Sequence, residues 1–163
     1  MKPAPNKQRV SELLDYDPDT GEFRWRLPAW NRTVGKLAGG VHIRGYRQIR
    51  IDGLVYMAHR LAWLMVHGTW PPQVDHINRN TSDNRIANLR AATQSQNRAN
   101  SKVPVTSISG IKGVRRTRYS TWHARIRVNG KLRTLGSFKT VEEASAAYWA
   151  AAQKSFGEFA RRS

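Results

Sequence analysis

Gln73-Val74-Asp75-His76-Ile77, a polar run over 78–84, and Leu89-Arg90-Ala91-Ala92-Thr93 form the stretch whose reading decides the fold. The first segment has the length and apolar content of a short strand, and the last returns as a second. Thr93 stands three residues before Gln96. That is a capping box, in which hydroxyl and amide satisfy the open N–H groups of a helix predicted over 94–100. The order that follows is strand, loop, strand, helix. Along it Asp75, His76, Asn88 and Asn97 set a carboxylate, an imidazole and two amides at wide intervals.

Upstream, a helix predicted over 57–67 ends at Gly68 and the Trp70-Pro71-Pro72 block. Before it, Val10, Leu13 and Leu14 read as a short helix ending near Asp17-Pro18, and Asp19-Thr20-Gly21 as a turn into a strand over 22–26. A further strand is predicted over 46–51, with Asp52-Gly53 as its hairpin turn. Downstream, Ser101 to Ser107 is polar and broken by Pro104, as a linker is. Beyond it come strands predicted over 114–118, 122–128 and 133–137, with Asn129-Gly130 as a type I′ turn. Thr140 and Glu143 form a second capping box, opening a helix through about Gln153 whose alanines can lie close against a sheet.

Charge narrows the partners. The net charge is +17, and no acidic residue falls between Asp83 and Glu142, an interval that holds thirteen lysines and arginines. A surface of that kind favours polyanions, and nucleic acid first among them. The chain has no cysteine, so disulfides and thiolate zinc sites are excluded and no structural zinc is expected. The longest apolar run, 61–66, is too short to span a bilayer, and no membrane partner is expected. The first residues lack the apolar run of a signal peptide, and the expected location is the cytoplasm, that of a bacterial host if a phage encodes the chain.

The central residues suit phosphodiester cleavage, which needs an activated water and charge stabilisation at the phosphate. Asp75 and Asn97 offer hard oxygens of the kind one Mg2+ or Mn2+ ion prefers, and His76 can act as general base near neutral pH. Neighbours on a strand point to opposite faces, so Asp75 and His76 serve one site only at a twisted strand end or at its edge. Asn84 and Asn100 could assist with ligands or phosphate but read first as turn formers, and His59, on a partly apolar helix, reads as a structural histidine ahead of a catalytic one. His42, His67 and His123 carry no usable signal.

Asp75-His76-Ile77-Asn78, the stretch from Asp83 through Asn88 to Arg90, and Asn97 together resemble the HNH nuclease motif, in the variant of phage and intron homing endonucleases that ends in asparagine. His59-Arg60-Leu61-Ala62-Trp63 resembles the lead-in of that subfamily. The resemblance covers about 56–101 and implies a ββα-metal core. It implies His76 as general base, Asp75 and Asn97 as ligands of a single divalent ion, and Asn88 as the amide that holds the hairpin loop and orients the histidine. Without cysteine, such a core must be held by packing, through Trp63, Leu64 and their neighbours against the N-terminal segment.

Gly113-Val114-Arg115-Arg116-Thr117-Arg118, Trp122 to Arg127, Leu135-Gly136-Ser137-Phe138 and 140–148 are similar to the Apetala/ethylene-response-factor DNA-binding domain. That likeness, over about 109–159, implies a three-stranded antiparallel sheet laid in the major groove with a helix behind it. Arg115, Arg116, Arg118, Trp122, Arg125, Arg127 and Arg133 are its candidate DNA contacts; alternation puts Arg116 with Arg118, or Arg125 with Arg127, on one face. The expected whole is α+β: a β-rich N-terminal segment (1–55), a nuclease core (56–101), a linker (102–108) and a sheet-plus-helix reader (109–163). The expected function is a metal-dependent endonuclease acting on double-stranded DNA, of homing type, as monomer or homodimer. A regulator that binds DNA without cutting it and an RNA-directed enzyme are the competing readings.

Overall fold

The computed structural model describes residues 3–30 and 32–162. Met1 and Lys2, which open the segment read above for a leader, lie outside the described residues, as do Asn31 and Ser163. Contacts divide the chain between Ala91 and Ala92 into two compact units.

In the first unit, α1 (Lys7–Leu13) starts at Asn6, whose side chain accepts the Arg9 N–H at 2.8 Å. The sequence predicts a helix running on toward Asp17. Instead β1 (Leu14–Tyr16) pairs antiparallel with β2 (Phe23–Trp25), and the helix stops at Leu13. The reason is tertiary. In the ladder Leu14 is fully buried, and Tyr16 lies 4.7 Å from the Phe23 ring.

β3 (Gly40–Val41), β4 (Arg47–Ile51) and β5 (Leu54–Met57) form an antiparallel sheet in that order. Asp52 and Gly53 both take positive φ, 50° and 88°, the twist a two-residue hairpin turn needs. α2 (Ala58–His67) follows and ends in left-handed Gly68. β6 (Gln73–His76) then pairs with β7 (Leu89–Ala92) around the polar loop, and a 3-10 turn (Ile86–Asn88) leads into β7.

One core serves all of these elements. Val10, Leu14, Phe23, Ile49, Leu61 and Leu64 are buried in it together with Val74 and Leu89, and Trp63 packs against it half-buried. The N-terminal residues and the hairpin therefore share the same buried apolar surface, which is the main stabilising contribution to a domain this small.

The second unit holds α3 (Gln94–Asn100), β8 (Val114–Arg116), β9 (Trp122–Val128), β10 (Lys131–Phe138) and α4 (Val141–Phe156), closed by a 3-10 turn (Gly157–Phe159). Both predicted capping boxes are present, at Thr93–Gln96 and Thr140–Glu143. The strand order is β10-β9-β8, antiparallel throughout, with α4 packed across all three strands. β10 runs longer than predicted and carries a bulge between Thr134 and Gly136. α4 runs on past Gln153 because Phe156 is buried among Ala92, Ala99, Phe159 and Ala160. That same cluster places α3 in the second unit, whereas the sequence reading grouped it with 56–101. Gly113 has φ +66°, and a Cβ there would collide with the Arg125 carbonyl and the Tyr148 ring.

Candidate active site

The loop between β6 and β7 is built by its asparagines. Asn78 turns the chain by accepting the Asn80 N–H at 2.8 Å, and Asn80 accepts the Ser82 N–H at 3.1 Å. Short amide side chains close such turns by standing in for a backbone carbonyl. Asn78 Nδ2 also donates to Asp83 at 2.8 Å, and Asp83 takes both Nε and Nη2 of Arg85. The Arg85 guanidinium holds the Asp83 carboxyl at about 2.

Asn88 ties the two ends of this loop together. It is buried, accepts the Asn78 N–H at 3.0 Å and donates to the Asp83 carbonyl at 2.8 Å.

Loops of the N-terminal segment clamp the same loop from outside. Tyr16 donates to the Asn84 carbonyl at 2.8 Å, and the Ile86 N–H donates to Pro18 at 3.1 Å. Gly21, at φ +74°, presses on the Asn84-Arg85 backbone where any Cβ would clash. Further along the loop, Thr81 donates to the Arg44 carbonyl at 3.2 Å and Ser82 to that of Gly45 at 2.9 Å.

Asp75 and His76 are buried, at 4% and 5% exposure, and have separate partners, as alternation on a strand requires. Asp75 accepts Arg90 Nε at 2.9 Å. His76 meets Asn84, His59 and Tyr46: Nε2 lies 3.2 Å from Asn84 Oδ1, and the His59 ring stands edge-on at 4.8 Å. The Tyr46 ring lies 6.0 Å from His76 and 5.5 Å from His59. Asn84 is itself buried, and its Nδ2 donates to the Ser82 carbonyl at 3.4 Å. That orientation turns Oδ1 to the imidazole.

Burial lowers the His76 pKa; the Asn84 hydrogen bond and the nearby Asp75 charge oppose it without cancelling it. His59 is pushed down to about 3, by burial first and then by His76 and Arg60. Both shifts favour the uncharged ring, the form a general base needs.

Three residues of this cluster were not selected by the sequence reading. Asn84 was read as a turn former and His59 as structural, and Tyr46 was read as part of a strand. A signal for Asn84 existed, since it belongs to the asparagine series at 78, 80, 84 and 88. Asn97 lies half-buried on α3, in the second unit. Among the described residues, no group of three or more His, Cys, Asp or Glu is placed to hold a metal.

Strand register sorts the candidate DNA contacts. Arg115 pairs with His123, and Leu132 and Thr134 pair with Arg127 and Arg125, so Arg115, Arg125 and Arg127 share the face away from α4. Arg116 and Arg133 pair with Trp122 and Ile126, on the α4 side. Trp122 is half-buried against Val114, Ala124 and Ala144. Arg118 sits in the turn after β8, its guanidinium 4.7 Å over Tyr119.

A buried histidine at the end of a short strand, held by a buried asparagine of the following loop, can serve general-base chemistry. Residues 56–99 match the HNH endonuclease family model. A protein of Acanthamoeba polyphaga mimivirus, described as an uncharacterized HNH endonuclease, is 35% identical over 150 residues, covering 90% of this chain and 70% of the relative. The chain belongs to the HNH endonuclease family and is a nuclease. No solved structure matches it. None of the described helices is long and apolar enough to cross a membrane.

Proposed function

We propose that the chain is a divalent-metal-dependent endonuclease that hydrolyses phosphodiester bonds in double-stranded DNA. The observation that carries this reading is the His76 imidazole, buried and held against Asn84. In the proposed reaction the His76 imidazole takes a proton from the attacking water, and the products are a 5′ phosphate and a 3′ hydroxyl. Asn88 fixes the loop that carries His76, and Asn84 and His59 fix its ring.

Asp75 and Asn97 are the proposed ligands. The fit is chemical: a carboxylate with one oxygen on Arg90, together with an amide oxygen, is a sparse, hard donor set. Magnesium and manganese are commonly held by one or two carboxylates plus waters and substrate phosphates, not by a full protein cage. Such an ion would stabilise the charge that develops on the phosphate and on the leaving 3′ oxygen. Arg115, Arg125 and Arg127 are the proposed groove-facing contacts of an Apetala/ethylene-response-factor-like reader, supported by their common face on a three-stranded sheet. A homing-type role remains part of the proposal and is in keeping with a viral relative.

A plasmid-nicking assay tests the reading. Wild-type protein with Mg2+ or Mn2+ converts supercoiled plasmid to nicked or linear product, EDTA stops it, and His76→Ala slows it by orders of magnitude. Cleavage that proceeds at the wild-type rate in His76→Ala, or unchanged in EDTA, refutes the assignment.

A further inference from the structure

β8 covers β9 only over residues 122–124, and the pairing closes where the Arg125 N–H donates to Gly113 at 2.8 Å. From there to Val128 that edge of β9 is not covered by a strand. It borders a cavity of about 550 Å³ within the second unit, walled by α3 and by the chain from Ser101 to Val114. Alternate residues of a strand direct their N–H groups to the same side, so Arg127 N–H points the same way as that of Arg125, toward the cavity.

The lining has two parts. Ile126, Tyr148 and Phe156, on the α4 side of the sheet, supply an apolar, partly aromatic floor. Arg98, Lys102, Lys112, Arg115, Arg125 and Arg127 supply the rim, and no carboxylate lines the cavity. Lys112 donates to the Ala99 carbonyl at 2.6 Å, Arg125 Nε to His123 at 3.3 Å and Arg127 to the Gly130 carbonyl at 2.7 Å, contacts that hold these side chains in place.

A cavity of this volume lies in the range of small-ligand sites, roughly 300–1,000 Å³. A lone phosphate has no use for the apolar floor, and a neutral apolar ligand has none for six cations. An aromatic ring carrying a phosphate uses both. We infer that this cavity takes one unpaired nucleotide, its base on the Ile126–Tyr148 floor and its phosphate on the Arg98–Lys102 rim. The inference rests on the DNA reading proposed above and extends it from duplex to a single-stranded flank. A free nucleotide carries the same chemistry.

The test uses the full chain in EDTA, so that nothing is cut, and measures fluorescence anisotropy with a blunt duplex and with the same duplex bearing a short single-stranded overhang. The overhang duplex binds about ten-fold tighter than the blunt one, the scale of one base stacked on an apolar platform. Lys102→Gln and Arg98→Gln, both at exposed positions, each remove that gain while leaving blunt-duplex affinity and melting temperature in place. Equal binding of the two duplexes by the wild type overturns the inference and leaves the duplex reading standing. An overhang gain that persists in both variants also overturns it, since the gain then lies elsewhere. Binding of neither duplex sinks the DNA reading and this inference together. Excess mononucleotide is the last arm: if it abolishes the overhang gain at low concentration the pocket stands and its occupant is the free nucleotide, and if it does not, the strand is the occupant.

Discussion

The β6–β7 loop and the β8–β9–β10 sheet use polar residues in opposite ways. The loop buries them: Asp75, His76, Asn84 and Asn88 are all under 10% exposed. Asp75 accepts from Arg90, His76 meets Asn84 and Asn88 bonds the loop backbone, which fixes position to within a hydrogen bond. The sheet exposes its polar residues instead. Its arginines lie on strand faces and in turns, and no acidic residue occurs anywhere between Asp83 and Glu142. Buried polar groups are costly unless satisfied, so a loop built from them holds one geometry and fails as a unit. Exposed cations give affinity that is additive, salt-sensitive and tolerant of small shifts. Cutting needs the first property and holding DNA needs the second.

The contrast can be broken most sharply at His76. Loss of a general base typically removes a factor of roughly 10²–10⁴, so His76→Ala lowers the single-turnover cleavage rate by that range while DNA affinity in EDTA stays within about two-fold. A large fall in affinity would mean that the histidine holds DNA instead of reacting.

Asn88→Ala tests whether the loop fails as a unit. It leaves the Asn78 N–H and the Asp83 carbonyl without their partner, at a cost of about 1–3 kcal/mol per buried group left unsatisfied. Urea unfolding followed by tryptophan fluorescence reads the loss in stability, and cleavage falls with it. Asn88→Asp, which keeps an acceptor for Asn78 but loses the donor to Asp83, lies between the two.

Acid sharpens the contrast. His59 has a folded-state pKa of about 3, against an ordinary value near 6.5, and His76 is shifted in the same direction. Below about pH 6.5 the unfolded chain binds protons that the folded one refuses, so stability falls as pH falls, by up to about 1.4 kcal/mol per pH unit for each histidine. For His59 the window runs from about 6.5 down to about 3. Melting temperatures at pH 7.5 and pH 5 measure the slope, and His59→Phe flattens it. An unchanged slope would remove His59 from the account.

The smallest effect belongs to the sheet. Each arginine that contacts a phosphate contributes about 0.9 to the slope of log affinity against log salt. Arg125→Gln with Arg127→Gln therefore lowers the slope by about two, whereas Arg133→Gln, on the α4 side, changes it less. Equal effects would show that strand face does not sort these residues.

Much of the site was legible in one dimension because its chemistry is local. The capping box at Thr93–Gln96 and the positive-φ turns at Asp52-Gly53 and Asn129-Gly130 act within two to four residues, and each forms as its sequence predicts, whereas Asn100, read as a turn former, ends α3. The partners of His76 were less legible. Asn84 lies eight residues away and His59 comes from a different helix, so their roles depend on how α2 packs over the hairpin. The early end of α1 has the same origin: helix and strand both suit Leu14 locally, and burial in the ladder with Trp25 decides between them.

The sequence alone determined a basic chain with a loop of amides around an Asp-His pair, followed by short alternating strands, because charge, turn chemistry and periodicity are properties of neighbouring residues. Tertiary structure alone decided that the N-terminal segment clamps that loop, that His59 and Tyr46 surround His76, and which arginines share a face. Those facts follow from long-range burial and strand register, and a one-residue shift in register would move every sheet side chain to the opposite face.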